Sequence, residues 1–600
     1  MFGIALVKKL ARALLYSRLF SIYEIYGENI MPDLLRLPVG IENFAEIIED
    51  NYYYVDKTSL IEQILNDGTK VSLFTRPRRF GKSLNISMLK YFFETNTKSG
   101  LFNGLYISKN SRLCDKYMGK FPVIAISLKE INAYDFDGAK AQMIKIINRE
   151  ARRLQFLLDS EKITVYDKEI FLKLLNSDMD ESTITNSLLE ISELLEKHYE
   201  KQVVVLIDEY DVPLAKANEN GYYKEMVLLV RNMFGNALKT NNSLKLAVLT
   251  GCLRVAKESI FTGLNNFKVY SITDENFDEN FGFTDEEVKN MLHYYNQYEY
   301  YEVVKEWYNG YEFGDVSVYC PWDVVNFCAD NLNKKKNRMP KNYWLNTSGN
   351  DVIKHFISSI GEKQKLTKTE LEMLINGEIV QKEISEELTY EELYASIDNL
   401  WSTLFMTGYL TKRGEPDGNR YNLVIPNREI RNIMTEHILT LFKHDISKDG
   451  QMVNAFCDAL ACGDAEKVEN MFTEYMKKTI SVRDTFVREK LKENFYHGIL
   501  LEILGFKSGW SVWSNKESGD GFSDIMIRID DADIGIVIEV KYAQKGNEEA
   551  ECKKALKQTI DKNYTQSLEN AEIKTVLKYG IACNIKSCKV MVQKVTLEDK

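Results

Sequence analysis

Five short runs between residues 71 and 272 constrain this chain more than any other feature: VSLFT (71–75), FPVIAISL (121–128), VVVLI (203–207), LKLAVLT (244–250) and KVYSI (268–272). Each is apolar along its length rather than at alternate positions, the pattern of a strand covered on both faces. Long helical stretches separate them, so the pattern predicts a parallel sheet wrapped by helices, with residues 136–200 as a helical insertion between two strands. A chain of 600 residues holds more than this one unit, because folding units run to roughly 100–200 residues each. Three or four are expected.

The remainder divides by pattern. The stretch NLNKKKNRMPKN (331–342) reads as a loop closing the first unit. Residues 350–445 are mostly helical and end in LWSTLFMTGYLTKRGEPDGNRYNLVIPNREI, a helix followed by two short strands and a Gly/Pro/Asp/Asn turn. That order is winged-helix-like, and serves either DNA recognition or plain packing. Residues 451–494 are helical, and 495–600 run helix, strands, helix, strand. The expected division is an extension over 1–30, a P-loop unit over 31–330, a helical and winged-helix-like middle over 331–450, and a C-terminal α/β unit with a helical lead-in over 451–600. Met31 directly precedes the patterned sequence, so translation starts at either Met1 or Met31. Lys8, Lys9, Arg12 and Arg18 interrupt the apolar start and argue against a cleaved signal.

Charge and cysteine usage exclude several classes. The 77 Lys and Arg against 88 Asp and Glu give −11, which disfavours a basic coat that binds nucleic acid indiscriminately. From 495 to 600 the balance is 15 against 16, or −1, which leaves −10 on the rest. Nine cysteines without a CxxC pair and six scattered histidines make no zinc set. Reduced thiols and a cytoplasmic location are expected. No apolar run approaches the ~18 residues that span a bilayer.

Two segments carry chemistry. In VSLFTRPRRFGKSLNISMLKYFFE, Gly81-Lys82-Ser83 stands between a strand and a helix. Gly81 lets backbone approach a phosphate, Lys82 reaches the β- and γ-phosphates, and Ser83 can ligate Mg²⁺. A full GxxxxGKS pattern would place glycine at 76, where Arg76 stands instead. Arg76, Arg78 and Arg79 either contact phosphate or form a solvated basic turn. QVVVLIDEYD adds Asp208 to hold Mg²⁺ and Glu209 to polarise the attacking water. Thr250 and Arg254 at the end of the next strand are candidates to sense the γ-phosphate. The candidate nucleotide set is Arg76, Arg79, Phe80, Gly81, Lys82, Ser83, Asp208, Thr250 and Arg254, with Glu209 as the catalytic carboxylate that polarises water.

In the last hundred residues, Asp524 lies in GDGFSDIMIRI, and Glu539 and Lys541 lie in IGIVIEVKY. Residues two apart on a strand share a face, and a hairpin at DDAD brings Asp524 alongside. Asp524, Glu539 and the Val540 carbonyl would bind Mg²⁺ or Mn²⁺, with Lys541 positioning or helping to deprotonate water. Glu502, in the helix YHGILLEIL, is the expected additional metal ligand. Lys553, Lys554, Lys557 and Lys562 either track a phosphate backbone or form a solvated helix face.

The runs LPVGIENF, YYYVDKTSLIEQIL, RPRRFGKSLNISMLKYFF, VVVLIDEYDVPL, TGCLRVAKESIFTGLNNF, WYNGYEF, VYCPWDVVNF and YWLNTSG resemble the bacterial AAA-ATPase-like family whose members carry a C-terminal PD-(D/E)XK nuclease domain. The resemblance begins near residue 36 and covers nearly all the chain beyond it. It implies an ASCE-type P-loop sheet with a strand between those bearing Lys82 and Asp208, ATP as nucleotide, and an arginine-rich loop without its first glycine. Gln558 and Tyr564 resemble the residues on the helix after the ExK strand, whereas Phe522 replaces the arginine common before the Asp. The expected fold is α/β multidomain, with ATP and Mg²⁺ (or Mn²⁺) as cofactors, DNA as partner, no membrane, and homo-oligomerisation left open. The leading expectation is an ATPase module that couples nucleotide state to a metal-dependent nuclease acting on DNA; the rival functions are a nucleotide-driven switch or assembly protein whose nuclease-like domain recognises a partner, and a DNA-binding regulator.

Overall fold

The computed structural model describes residues 34–239, 241–254, 267–332, 340–344, 370–435, 450–479, 489–529, 532–561 and 573–596, apart from 372, 376, 394, 506, 508, 509, 519 and 520. The extension over 1–30, Lys562 and Tyr564 lie outside the described residues, as does most of the 331–342 loop.

The five apolar runs become β1 (Val71–Thr75), β2 (Val123–Ser127), β3 (Val203–Asp208), β4 (Leu244–Gly251) and β5 (Phe267–Tyr270). All pair in parallel, in the order β2-β3-β4-β1-β5. The strand of Asp208 and the strand that feeds Lys82 are therefore separated by β4 alone. Helix α1 (Lys82–Phe93) follows β1. The insertion is helical, with α2 (Phe136–Arg153), α3 (Val165–Leu174) and α4 (Glu181–Tyr199). Their caps are written in the sequence: Asp135, Thr164 and Asp180 each accept a backbone N–H of the first turn. Helix α5 (Val212–Asn220) follows β3. A small antiparallel sheet of β6 (Phe283–Thr284), β7 (Tyr311–Phe313) and β8 (Val316–Tyr319) leads into α6 (Pro321–Asn331).

The middle holds β9 (Val380–Glu383), helix α7 (Ile397–Met406), β10 (Thr411–Lys412) and β11 (Arg420–Val424), with sheet order β10-β11-β9. A helix followed by a two-strand wing is thus present. It does not stand apart: Leu400, Trp401, Leu404, Leu423 and Ile433 belong to the same buried apolar cluster as β1, β3 and β4. Backbone contacts are equally close. Gly408, at φ +87°, lies so near Pro77 of the arginine-rich loop that a Cβ there would sit 3.0 Å from the proline Cβ.

A second core spans residues 456–590. Helices α8 (Gly450–Cys462), α9 (Ala465–Thr479) and α10 (Glu489–Gly505) cover a mixed sheet of β12 (Trp510–Ser518), β13 (Gly521–Ile529), β14 (Ile534–Tyr542), β15 (Thr575–Asn584) and β16 (Ser587–Thr596), paired in that order. Only β14 and β15 run parallel, and α11 (Glu548–Asp561) is the crossover between them. It lies directly on Gly580 of β15, where a Cβ would meet the Cys552 carbonyl at 2.5 Å. No helix among the described residues is long and apolar enough to cross a membrane.

Candidate functional site

At the first site, chain reversal after β1 needs backbone few residues adopt. Gly81 caps α1 at φ +80°, and Arg79 is held at φ +71°. Glu209, after β3, has φ +50°. Two non-glycine residues in the left-handed region at one place is the strain that functional loops store.

The strand ends then converge. Asp208 Oδ2 accepts from Ser83 Oγ at 2.7 Å, and Asp208 Oδ1 accepts from Thr250 Oγ1 at 2.6 Å. Asp208, Ser83 and Thr250 thus form one hydroxyl–carboxylate chain across β3, β4 and α1. Lys82 is 4% exposed, and its ammonium donates to the carbonyls of Arg76 at 3.0 Å and Pro77 at 2.9 Å. Glu209 sits beside this chain, its pKa lifted by burial and by Asp208 and Asp211 against the opposing pull of Lys82. A raised carboxyl pKa near a phosphate site suits proton traffic.

The remaining loop residues are distributed unevenly. Arg76 was expected to be available to phosphate, but its side chain is fully buried and donates to the carbonyls of Thr75 at 2.9 Å and Tyr270 at 2.8 Å. Burial lowers its pKa to about 10. Its role in the structure is to tie β1 to β5. Phe80, another expected nucleotide contact, packs its ring between Tyr311 and Phe313 in the core. Arg79 lies 4.0 Å over the Trp322 ring. Arg254 is ion-paired with Glu387 of the middle at 3.0 Å.

Asp211, which sequence reasoning passed over, organises the rim. Its Oδ2 accepts from Cys252 N at 2.9 Å, Leu253 N at 3.0 Å and the Tyr390 hydroxyl at 3.1 Å. The fourth residue of DEYD was the available signal. The VDKT segment also gains a place: Lys57 pairs with Glu287 at 2.7 Å, and Asp56 accepts from the Thr58 and Tyr106 amides.

At the second site, Ile525 opposite Ile538 sets a register that carries Asp524 next to Glu539 at the end of the ladder. Asp524 Oδ2 accepts from Val540 N at 2.8 Å. Glu539 is 2% exposed, not an edge carboxylate, and accepts from Gln558 of α11. Lys541 Nζ lies 3.5 Å from Glu539 and 3.9 Å from Glu493. Burial opposes the charge of Lys541, but Glu493, Glu539 and Asp524 outweigh it and raise its pKa. The three carboxylates favour the charged ammonium beside them.

The helix acid brought to this cluster is Glu493, which also accepts from Tyr542 N at 3.3 Å. Glu502 was the expected one. It falls nine residues later on α10, half a turn around the helix, and its side chain lies outside the described residues. One turn after Glu493, His497 Nε2 meets the Asp524 carbonyl at 2.8 Å. Lys553 and Lys554, considered as phosphate contacts, pair with Glu549 and Glu551 along their own helix.

Both sites fit Mg²⁺ or Mn²⁺ in the same way. Among the described residues no three His, Cys, Asp or Glu side chains form a ready metal cage. Each site instead offers hard oxygens from two residues, Ser83 with Asp208 and Asp524 with Glu539. Mg²⁺ is commonly held by one or two carboxylates while keeping waters and substrate phosphates.

These features define a P-loop nucleoside-triphosphatase-type sheet joined to a nuclease-type mixed sheet. Residues 38–261 match the family described as a predicted AAA-ATPase, and residues 491–593 match the PD-(D/E)XK nuclease superfamily. The chain carries an AAA-ATPase-like domain followed by a PD-(D/E)XK nuclease superfamily domain. It is also 26% identical over 450 residues to an "Uncharacterized protein in vnfD 5'region" of Azotobacter chroococcum mcd 1, covering 73% of this chain and 77% of that protein.

Proposed function

We propose that this protein binds and hydrolyses ATP at the first site and cleaves DNA at the second with a divalent metal. The observation that carries the reading is that each site gathers its charged groups from separate elements onto one point, where burial would otherwise penalise them. At the first, Lys82 would leave the loop carbonyls for the β- and γ-phosphates, Ser83 and Asp208 would hold Mg²⁺, and Glu209 would orient water. Bound Mg²⁺ would neutralise developing phosphate charge. At the second, Asp524 and Glu539 would hold the metal, Gln558 would fix the Glu539 carboxylate, and Lys541 would steady the phosphodiester anion. The contacts of Arg254, Tyr390 and Gly408 around the first site support a middle region that responds to nucleotide. The cytoplasm is the proposed location.

Incubating the purified chain with duplex or single-stranded DNA and Mg²⁺ or Mn²⁺, with and without ATP, tests both halves. Phosphate release and DNA cutting are expected. No cutting under any of these conditions would remove the nuclease half, and no phosphate release would remove the ATPase half.

A further inference from the structure

Helix α10 meets the end of the C-terminal sheet through three side chains. Glu493 accepts from Tyr542 N of β14 at 3.3 Å, the Tyr496 hydroxyl donates to the Ile585 carbonyl in the β15–β16 turn at 3.3 Å, and His497 Nε2 lies 2.8 Å from the Asp524 carbonyl of β13. Spacings of three and four residues put all three on one helix face. A carbonyl oxygen only accepts, so Nε2 carries the hydrogen and donates it. The pairing of β13 with β14 explains why that carbonyl takes a helix partner. The ladder runs from Ile529 opposite Ile534 to Ile525 opposite Ile538 and stops one residue short of Asp524. Beyond it, Val540 N is met by Asp524 Oδ2 instead of by a β13 carbonyl. Strands β13 and β14 therefore part at the two candidate metal carboxylates. Glu539 keeps its strand pairing, opposite Gly580 of β15. Asp524 is held instead by His497 on its main chain and by Val540 N on its carboxylate.

We propose that His497 is a positioning residue of the second site: by holding the Asp524 main chain, it keeps the Asp524 carboxylate where it can share one Mg²⁺ or Mn²⁺ with Glu539. This rests on the nuclease reading above. Where the ladder has ended, a carbonyl deprived of His497 exchanges its partner for water, and the Asp524 peptide is free to rotate. That rotation takes the carboxylate off Val540 N and away from Glu539. Groups that orient a metal ligand without touching the metal act through its position, and their loss costs about 10–100-fold in metal affinity or activity. The imidazole touches neither the metal nor the phosphodiester, so its loss shows in metal affinity and much less in the rate at saturating metal. A tie that merely fastened the helix to the sheet would lower stability and leave metal affinity unchanged.

The test titrates Mn²⁺ into the full chain without nucleotide and follows the paramagnetic resonance of the free ion; the binding lost in Asp524→Ala is that of the second site. DNA cutting is then measured across the same Mn²⁺ range, and thermal melts without metal check folding. For His497→Ala we expect Mn²⁺ affinity at the second site to fall about 10–100-fold and the Mn²⁺ needed for half-maximal cutting to rise by the same factor, with the rate at saturating Mn²⁺ near wild type. His497→Gln places an amide N–H where Nε2 stands and should keep most of the affinity. His497→Asn reaches only as far as Nδ1 and should lose it as His497→Ala does. Wild-type Mn²⁺ affinity in His497→Ala, or His497→Gln and His497→Asn binding Mn²⁺ alike, would overturn the proposal; the second comparison decides it should His497→Ala fail to fold. A wild-type chain that binds no more Mn²⁺ than Asp524→Ala and cuts no DNA would overturn the nuclease reading, and this proposal with it.

Discussion

Replacing Glu429 with glutamine should stabilise the first core above neutral pH. Asp323 of α6 and Glu429, just beyond β11, are both 0% exposed and face each other. Glu429 Oε1 accepts from Trp344 N at 2.7 Å, but Glu429 Oε2 and both Asp323 oxygens meet no N–H or O–H donor. Two such carboxyls can bond only by sharing a proton; burial raises the pKa of both, and the Asp323 charge raises that of Glu429 further, whereas the bond from Glu429 holds Asp323 lower. A raised acid pKa means the fold keeps a proton that the unfolded chain releases above its ordinary value of about 4.3. Stability is therefore full below that value and falls as pH rises towards the folded pKa, by about 1.4 kcal/mol per pH unit for each proton retained. Between pH 6 and 8 this amounts to about 2.7 kcal/mol for one shared proton. Glutamine supplies a permanent N–H to Asp323 and keeps an oxygen for Trp344 N. Glu429→Gln should therefore gain roughly 1–3 kcal/mol at pH 8 and show a shallower pH slope. Urea unfolding followed by tryptophan fluorescence at pH 5.5, 7 and 8.5 measures both. A wild-type slope preserved in the variant, or equal destabilisation at every pH, would refute the shared proton.

Three further outcomes follow from the same geometry. Tyr390→Phe removes one of three bonds to Asp211 and should cost about 1–2 kcal/mol, read by urea unfolding, while weakening nucleotide affinity in a fluorescence titration. Gly408→Ala forces a side chain at φ +87° against Pro77 and should cost about 1–3 kcal/mol, read by the same unfolding assay. In the C-terminal domain, Glu493→Gln should lower DNA cleavage by about 10–100-fold; cleavage at the wild-type rate would remove Glu493 from the site.

What was legible in the sequence follows what local pattern can encode. VVVLI and LKLAVLT are apolar throughout because both faces are covered, so strand identity and parallel pairing were readable from each run alone. Gly81-Lys82-Ser83, Asp208 and Thr250 could be singled out because each follows or ends such a run, and the structure bonds Ser83 and Thr250 to Asp208. Arg76 was misplaced because a basic run reads as solvated unless the burying groups are visible, and Tyr270, Phe277, Phe281 and Phe313 lie about 200 residues or more away. Asp211 gained its meaning only from Tyr390, 179 residues on. Glu502 was chosen for its apolar neighbours, and its side chain lies outside the described residues; that Glu493 is brought to Lys541 follows from the docking of α10, which no local pattern encodes. The middle region looked like a separate unit because its helix and wing are locally complete; the core it shares with β1, β3 and β4 is a tertiary fact.

One chain is proposed to hold two chemically separate sites. This is tested most directly by following phosphate release and DNA cutting in the same reaction for wild type, Lys82→Ala and Asp524→Ala. Lys82→Ala should abolish phosphate release, and Asp524→Ala should abolish cutting while phosphate release continues. Loss of both activities in Asp524→Ala, with its fold intact, or undiminished cutting in that variant, would contradict it.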